Sequence, residues 1–395
     1  MNKIPYWFLC FFVFSLPWQA HIIIPGLGTV SRLLGFMLVG IGVLYILFKK
    51  NLKEPPLFLI IGCAFVFWGL LSYIWSVNQG ATIGRFIQNI QFLAMMWLIW
   101  EICDSKKDYR ILMQLFVIGL FIPVYEMLSM FISDAFGYYR ISAGEFGANR
   151  MGLYLSLGIP IAWYLYITQK QNIYNLINLI YIPLAIFCVV LTGSRMGLVA
   201  TVIGMLIVPL TFFNLKTNSK IIVASFSIVC ILISLMYYSE IAERLERNIE
   251  RLSETHERIQ ASDYPGRNII WQAGMLKIPE RPFQGFGAGT SRFVLGKELH
   301  RDQRSAHNTY IAILLDVGII GIVMMLSIVL IAIIPALSMS YIVRIFTLIS
   351  IMIIFAVMIV YNLDIEKSLW FMISMYGGHA YIMLRDGHFS ILKRN

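Results

Sequence analysis

Charge is what this sequence has least of. Only 13% of its 395 residues are charged, while 59% are hydrophobic. A soluble domain of ordinary composition carries about 25% charged and about 45–50% apolar residues. Together with a mean hydropathy of +0.76, the shortage excludes an ordinary soluble chain and leaves a polytopic membrane protein. Cysteine is scarce too. Cys10, Cys63, Cys103, Cys188 and Cys230 all fall in apolar runs or at their ends, and no CxxC occurs. They read as small apolar fillers, not as a disulfide framework or a metal site. The six histidines make no HxxxH pair, and no DxD stands in the outer segments. No metal and no cofactor are therefore expected.

Long apolar runs are what the chain has instead. They predict an all-α fold with about twelve spans, near 4–20, 27–48, 57–76, 81–101, 111–133, 151–168, 174–191, 196–213, 221–238, 308–334, 345–361 and 369–384. The first has only Lys3 as a basic region and Trp18 where a cleavable signal wants a small residue. It reads as a retained span. The expected organisation is residues 1–238 with nine spans, 239–306 as one large hydrophilic loop, and 307–395 with the last three spans and a tail.

Cations orient the chain. With the N-terminus in the cytoplasm, the short inner segments hold 14 cations against 6 in the short outer segments and helix ends, and the inner ones are chiefly lysines such as Lys49, Lys50, Lys53, Lys106 and Lys107. That obeys the positive-inside rule and puts 239–306 on the outer side of the membrane. The net charge of +10 is thus mainly an orientation signal and no footprint of nucleic-acid binding. The outer cations differ in kind: Arg32, Arg85, Arg140, Arg150 and Arg195, with one lysine, Lys367. Arginine presents a planar fork of donors suited to phosphate. Cations at the rim of a bundle are costly unless they pair or bind an anion. Arg85 is expected about one turn inside its helix. Arg150 follows Gly147-Ala148-Asn149, and Arg195 lies in Thr192-Gly193-Ser194-Arg195, where two helices meet almost without a loop. The plainer reading of each is snorkelling or structural pairing.

The large outer segment has two parts. From Ser239 to Gln260, Ile241, Leu245, Ile249, Leu252 and Ile259 share one face, and acids and arginines four apart lie on the others. That pattern predicts an amphipathic helix. Then Gly266-Arg267-Asn268 leads into a short helix, Ile269–Lys277, and a proline- and glycine-rich stretch from Pro279 to Thr290. Such a stretch argues for a shaped loop that packs closely on something. Arg267 ahead of a helix suits an anion.

His307-Asn308-Thr309-Tyr310 opens the tenth apolar run. A helix N-terminus disfavours the imidazolium form, so His307 stays neutral and able to accept a proton. The plainer reading is a capping or interface histidine. Asn308 is expected to cap the helix or orient the ring. Gly318 and Gly321 read as close-packing positions between helices. Asp316, about 13 Å along the helix from His307, reads as a buried hydrogen-bonding partner. Tyr310 and the loop carrying Asp364, Glu366 and Lys367 are further candidates around the site.

These motifs resemble a known family. His307-Asn308 followed by Gly318-Ile319-Ile320-Gly321 is similar to the signature of the O-antigen ligase and polymerase superfamily, the WaaL and Wzy group. Thr192-Gly193-Ser194-Arg195 and Gly266-Arg267-Asn268-Ile269-Ile270-Trp271 resemble its two arginine motifs, in the same order. The resemblance implies a GT-C-like, inverting glycosyltransferase that takes glycan from undecaprenyl pyrophosphate. On that reading His307 is the general base. Arg195, Arg267, Arg85, Arg150 and Asn308 are substrate-binding candidates, and no metal is needed because arginines relieve the leaving charge. Three functions compete. An O-antigen ligase would use lipid A–core as acceptor. A polymerase would use the same donor and a second lipid-linked glycan. A transporter of lipid-linked sugar should show internal repeats and ionisable groups near the midplane, whereas the polar groups here gather on one face.

Overall fold

The computed structural model describes residues 3–19, 21–26, 28–49, 51–133, 141–169, 173–236 and 266–386, with the backbone alone for 229–236. Arg140, the amphipathic helix expected over 239–260, and the Tyr264-Pro265 turn lie outside the described residues. So does the side chain of Cys230.

Each expected span has a helix in its place. They are α1 (Lys3–Ser15, continued by the tight turn Leu16–Trp18), α2 (Val30–Phe48), α3 (Leu57–Leu71, continued by Ser72–Trp75), α4 (Gln79–Ile102), α5 (Lys106–Ile132), α6 (Ala148–Thr168), α7 (Ile173–Thr192), α8 (Arg195–Met205) with α9 (Ile207–Phe212), and α10 (Thr217–Met236). After the outer segment come α11 (Arg267–Lys277), α12 (Ser291–Glu298), α13 (Thr309–Leu337), α14 (Tyr341–Val360) and α15 (Lys367–Arg385). Among the described residues eight helical stretches are long and apolar enough to cross a membrane, and Ile4–Trp18 is a shorter apolar one. The chain is an all-α, multi-pass membrane protein. A two-residue hairpin, Ile23–Ile24 against Gly28–Thr29, is the one sheet among the described residues.

Capping residues set the helix starts. Thr29 accepts from Arg32 N–H, Asn78 from Ala81 N–H and Ser194 from Gly197 N–H. Ser105 and Asp108 form a reciprocal capping box at α5. The apolar spans then bury their contacts around α6, which is buried over most of its length. Trp163, Tyr109, Tyr154, Tyr181 and Phe116 are among the largest fully buried side chains. Inside the bundle, Gln114 and Asn178 exchange amide hydrogen bonds of 3.0 and 2.9 Å. At the far end from His307, Lys49 holds the buried Glu101 at 2.6 Å and Lys53 holds Asp104 at 2.9 Å.

A second, smaller core joins the outer elements. Ile270 and Ala273 of α11, Val294 and Leu295 of α12, and Ile311, Ala312 and Leu315 of α13 pack with Phe286 and Ala306. The sequence pattern did not predict α12. The beginning of α13 therefore belongs as much to this outer cluster as to the bundle.

Helix α13 has 29 residues, about 43 Å if straight, and α14 has 20, about 30 Å. Yet they share both ends. Thr309 Oγ1 donates to the Tyr361 carbonyl at 2.6 Å, and a three-residue turn joins Leu337 to Tyr341. The excess is absorbed at Gly318, whose φ of 70° and ψ of −166° interrupt the helix. This corrects the reading of Gly318 and Gly321 as packing positions between helices. A Cβ on Gly318 would strike the Phe283 carbonyl, and Gly321 faces Val317 and Ile313 of its own helix.

Backbone from the glycine-rich loop fills the break. Ile319 N–H donates to the Pro282 carbonyl at 2.8 Å, Phe286 N–H to Leu315 at 2.7 Å, and Gly287 N–H to Asp316 at 2.9 Å. On its other side the loop meets the end of α3. Val77 N–H reaches the Phe286 carbonyl at 3.0 Å, and Ala288 N–H reaches Ser72 Oγ at 2.9 Å. Gly285, Gly287 and Gly289 all take positive φ, which lets the loop lie this close to two helices. Helical carbonyls and N–H groups freed by the break thus find partners.

Candidate functional site

Three helices begin side by side on one face, each with a cation or a histidine at its start. Arg195 is the first residue of α8, Arg267 the first of α11, and His307 directly precedes Asn308, the N-cap of α13. The short helix begins two residues earlier than the sequence suggested, which makes Arg267 its first residue. All three side chains are exposed.

Their charges interact. Loss of solvent and then the Arg195 charge push the Arg267 guanidinium below its ordinary value. His307 is open at one edge, yet crowding still removes enough water to be the largest cause lowering its pKa. Arg267 and Arg304 lower it further. A cation at a helix N-terminus adds to the positive end of the backbone dipole instead of offsetting it. Two such starts near enough for their charges to interact make a positive region that suits a ligand of at least two negative charges. No side chain caps α11. Beside it, Trp271 Nε1 donates to the Ala306 carbonyl at 3.0 Å, tying α11 to the residue before His307.

Asn308 does not contribute its side chain to the open face. It is buried, and its Oδ1 accepts from Ile311 N–H at 3.1 Å, a helix cap. Arg85 and Arg150 are turned to acids. Arg85, well inside α4, meets Asp364 at 3.1 Å and Asp316 at 3.9 Å. Arg150 meets Glu366 through Nε at 2.8 Å and Nη2 at 2.7 Å, and lies over the Phe146 ring at 4.8 Å. Asp316 is the buried hydrogen-bonding group the sequence suggested, with its Oδ1 accepting from Ser291 N–H at 2.6 Å. Arg85, Asn89, Asp316 and Asp364 line a cavity of about 20 Å³, room for one water.

The loop Tyr361–Glu366 connects these pairs to His307. Tyr361 O–H donates to Glu366 at 3.0 Å, and Leu363 N–H donates to Thr309 Oγ1 at 2.8 Å. Lys367 starts α15 and donates to Gln19 and Ser31 at 2.9 and 3.1 Å. Tyr310 points away from the site, its hydroxyl on the Phe355 carbonyl at 3.3 Å. The motif pattern missed Arg304, which lies in no arginine motif, and Asn362, whose side chain meets the segment around His307. Asn362 lies far in sequence from the residues it meets, and Arg304, though close to His307 in sequence, stands in no motif, so nothing signalled either.

Residues 180–326 match the family model described as O-antigen ligase. Over that stretch, less than half of its length, the chain is similar to the O-antigen ligase family. The matched stretch contains Arg195, Arg267, His307 and the glycine break at Gly318. A comparison with curated proteins gave no match. Among the described residues no group of three or more His, Cys, Asp or Glu stands together as a metal site. The protein is thus a multi-pass membrane protein whose residues 180–326 are similar to the O-antigen ligase family.

Proposed function

We propose that this protein is an O-antigen ligase of the bacterial inner membrane. It would transfer O-antigen polysaccharide from undecaprenyl pyrophosphate to lipid A–core at the periplasmic face. The observation that carries the reading is the meeting of Arg195, Arg267 and His307 at three helix starts. Arg195 and Arg267 suit the donor pyrophosphate, by charge, fork geometry and dipole together. His307, held neutral by its surroundings, suits a general base.

In the proposed step His307 takes the proton of the acceptor hydroxyl. The hydroxyl oxygen bonds to the anomeric carbon on the face opposite the pyrophosphate. The bond from that carbon to the phosphate oxygen breaks, and the pyrophosphate leaves with the electron pair. One displacement inverts the anomeric configuration. The arginines offset the charge that grows on the leaving group, so the step calls for no metal ion. Arg85 and Arg150, already ion-paired, hold the Tyr361–Glu366 loop in this scheme and do not grip the donor.

A deletion strain tests the reading. Loss of long glycan from lipid A–core, with lipid-linked polymer still accumulating, supports a ligase. Lipid A–core carrying single repeats would make it a polymerase with the same donor chemistry. Restoration by the wild-type gene and not by His307→Ala ties the phenotype to the proposed base.

A further inference from the structure

His307 has a backbone conformation that needs support. Its φ is 46°, in the left-handed region, and among the described non-glycine residues only His300 shares that sign. A non-glycine residue there is strained, and the conformation persists only where its surroundings hold it. A residue distant in sequence spans this turn. The Asn362 side chain bridges the two flanks of His307. Its Oδ1 accepts from Asn308 N–H at 2.9 Å, and its Nδ2 donates to Ser305 Oγ at 3.3 Å. A backbone N–H can only donate, so the amide orientation is fixed by Asn308.

Asn362 is itself held on both sides. The carbonyl before it accepts from Thr309 Oγ1 at 2.6 Å, and the N–H after it donates to the same oxygen at 2.8 Å. Two residues on, Asp364 is held by Arg85, and beyond it Glu366 is held by Arg150. Gln88 donates to the intervening Ile365 carbonyl at 3.2 Å. The loop is thus fastened to α4, α6 and α13, and offers one amide to the turn that carries the histidine.

We infer that Asn362 is a positioning residue for His307, bracketing the turn so that the imidazole keeps one orientation toward the acceptor hydroxyl. The inference rests on His307 as the base. It explains why two arginines near the site are committed to acids. Their ion pairs fix the loop from which Asn362 acts.

Two substitutions test it, in membranes of the deletion strain supplied with undecaprenyl-pyrophosphate-linked glycan and lipid A–core. Asn362→Ala removes both links. At matched protein level kcat should fall by about 10²-fold, the cost of an approximately 1 Å misplacement, with donor KM little changed. Asn362→Asp keeps both links, because a carboxylate accepts from Asn308 N–H and from the Ser305 hydroxyl. It should keep most of the activity. Its negative charge beside His307 should also move the acid limb of the pH–rate profile upward.

Wild-type kcat for Asn362→Ala, with His307→Ala inactive, overturns the positioning role and leaves the base standing. An Asn362→Asp variant as inactive as the alanine, or one active with an unmoved acid limb, also overturns it. Full transfer by His307→Ala removes the base and the positioning role with it.

Discussion

The carbonyl of Phe283 occupies the space where a Cβ on Gly318 would stand. One glycine therefore lets a loop backbone enter a broken membrane helix and sets the direction of the segment that carries His307. Gly318→Ala adds that clash to a positive φ, and should cost about 1–3 kcal/mol. Its thermal midpoint in detergent should fall by several degrees, with faster proteolysis near Phe283. Gly40→Ala is the control. Its Cβ would meet nothing within 4 Å, so its midpoint should hold or rise. An unchanged midpoint for Gly318→Ala would remove the clamp.

The pH dependence of transfer follows from the neighbours of His307. Its pKa is lowered by loss of solvent, then by Arg267 and Arg304. A cation lowers a base's pKa, so the acid limb of kcat/KM should lie below the ordinary imidazole range. Arg267→Gln removes a cation and should move that limb upward. Bound pyrophosphate brings negative charge, so the limb of kcat should lie above that of kcat/KM, since the two report different states. A limb that does not respond to Arg267→Gln would break the electrostatic link between clamp and base.

Much of this was legible in the chain, for identifiable reasons. Twelve apolar runs fixed the helices because a bilayer leaves the backbone no other partner. Arg195 and Arg267 stood out because each lies beside glycine at the start of a helix. The break at Gly318 did not, because an isolated glycine in an apolar run gives the same signal for packing as for a bend. The bond between Ile319 and Pro282 is backbone to backbone, and no side-chain pattern records it. Asn362 was invisible for a related reason: its partners, Ser305 and Asn308, meet it only once α13 and α14 have folded together. Arg85 looked like a donor contact because its acids, Asp316 and Asp364, are far away in sequence.

The arginines should divide into two classes. Arg195→Lys and Arg267→Lys keep the charge and lose the fork, and should raise donor KM about 10-fold with the thermal midpoint unchanged. Arg85→Ala leaves two buried carboxylates without their shared cation. Breaking a buried pair from one side costs about 3–5 kcal/mol, so this variant should lose stability before activity at permissive temperature. Donor KM and melting measured on the same four arginine variants, Arg150→Ala included, decide it. A normal midpoint for Arg85→Ala with a raised donor KM would return Arg85 to the donor site.

The last expectation joins metal independence to topology. The proposed donor carries its charge to a face already supplied with Arg195, Arg267 and Arg304, so a divalent cation there would face repulsion. Transfer in membranes should survive EDTA and need no added Mg²⁺ or Mn²⁺. The same face must be periplasmic, because the glycan is exported before transfer in the proposed reaction. Thr255→Cys, in the segment before Arg267, should react with a membrane-impermeant thiol reagent in intact cells with a permeabilised outer membrane, above the background of the wild-type cysteines. Labelling only after inner-membrane lysis would place His307 on the wrong side of an exported donor. EDTA inactivation reversed by Mg²⁺ would reject the metal-free step while leaving the orientation intact. The two measurements therefore fail separately: one concerns the charge that relieves the leaving group, the other the side from which it is reached.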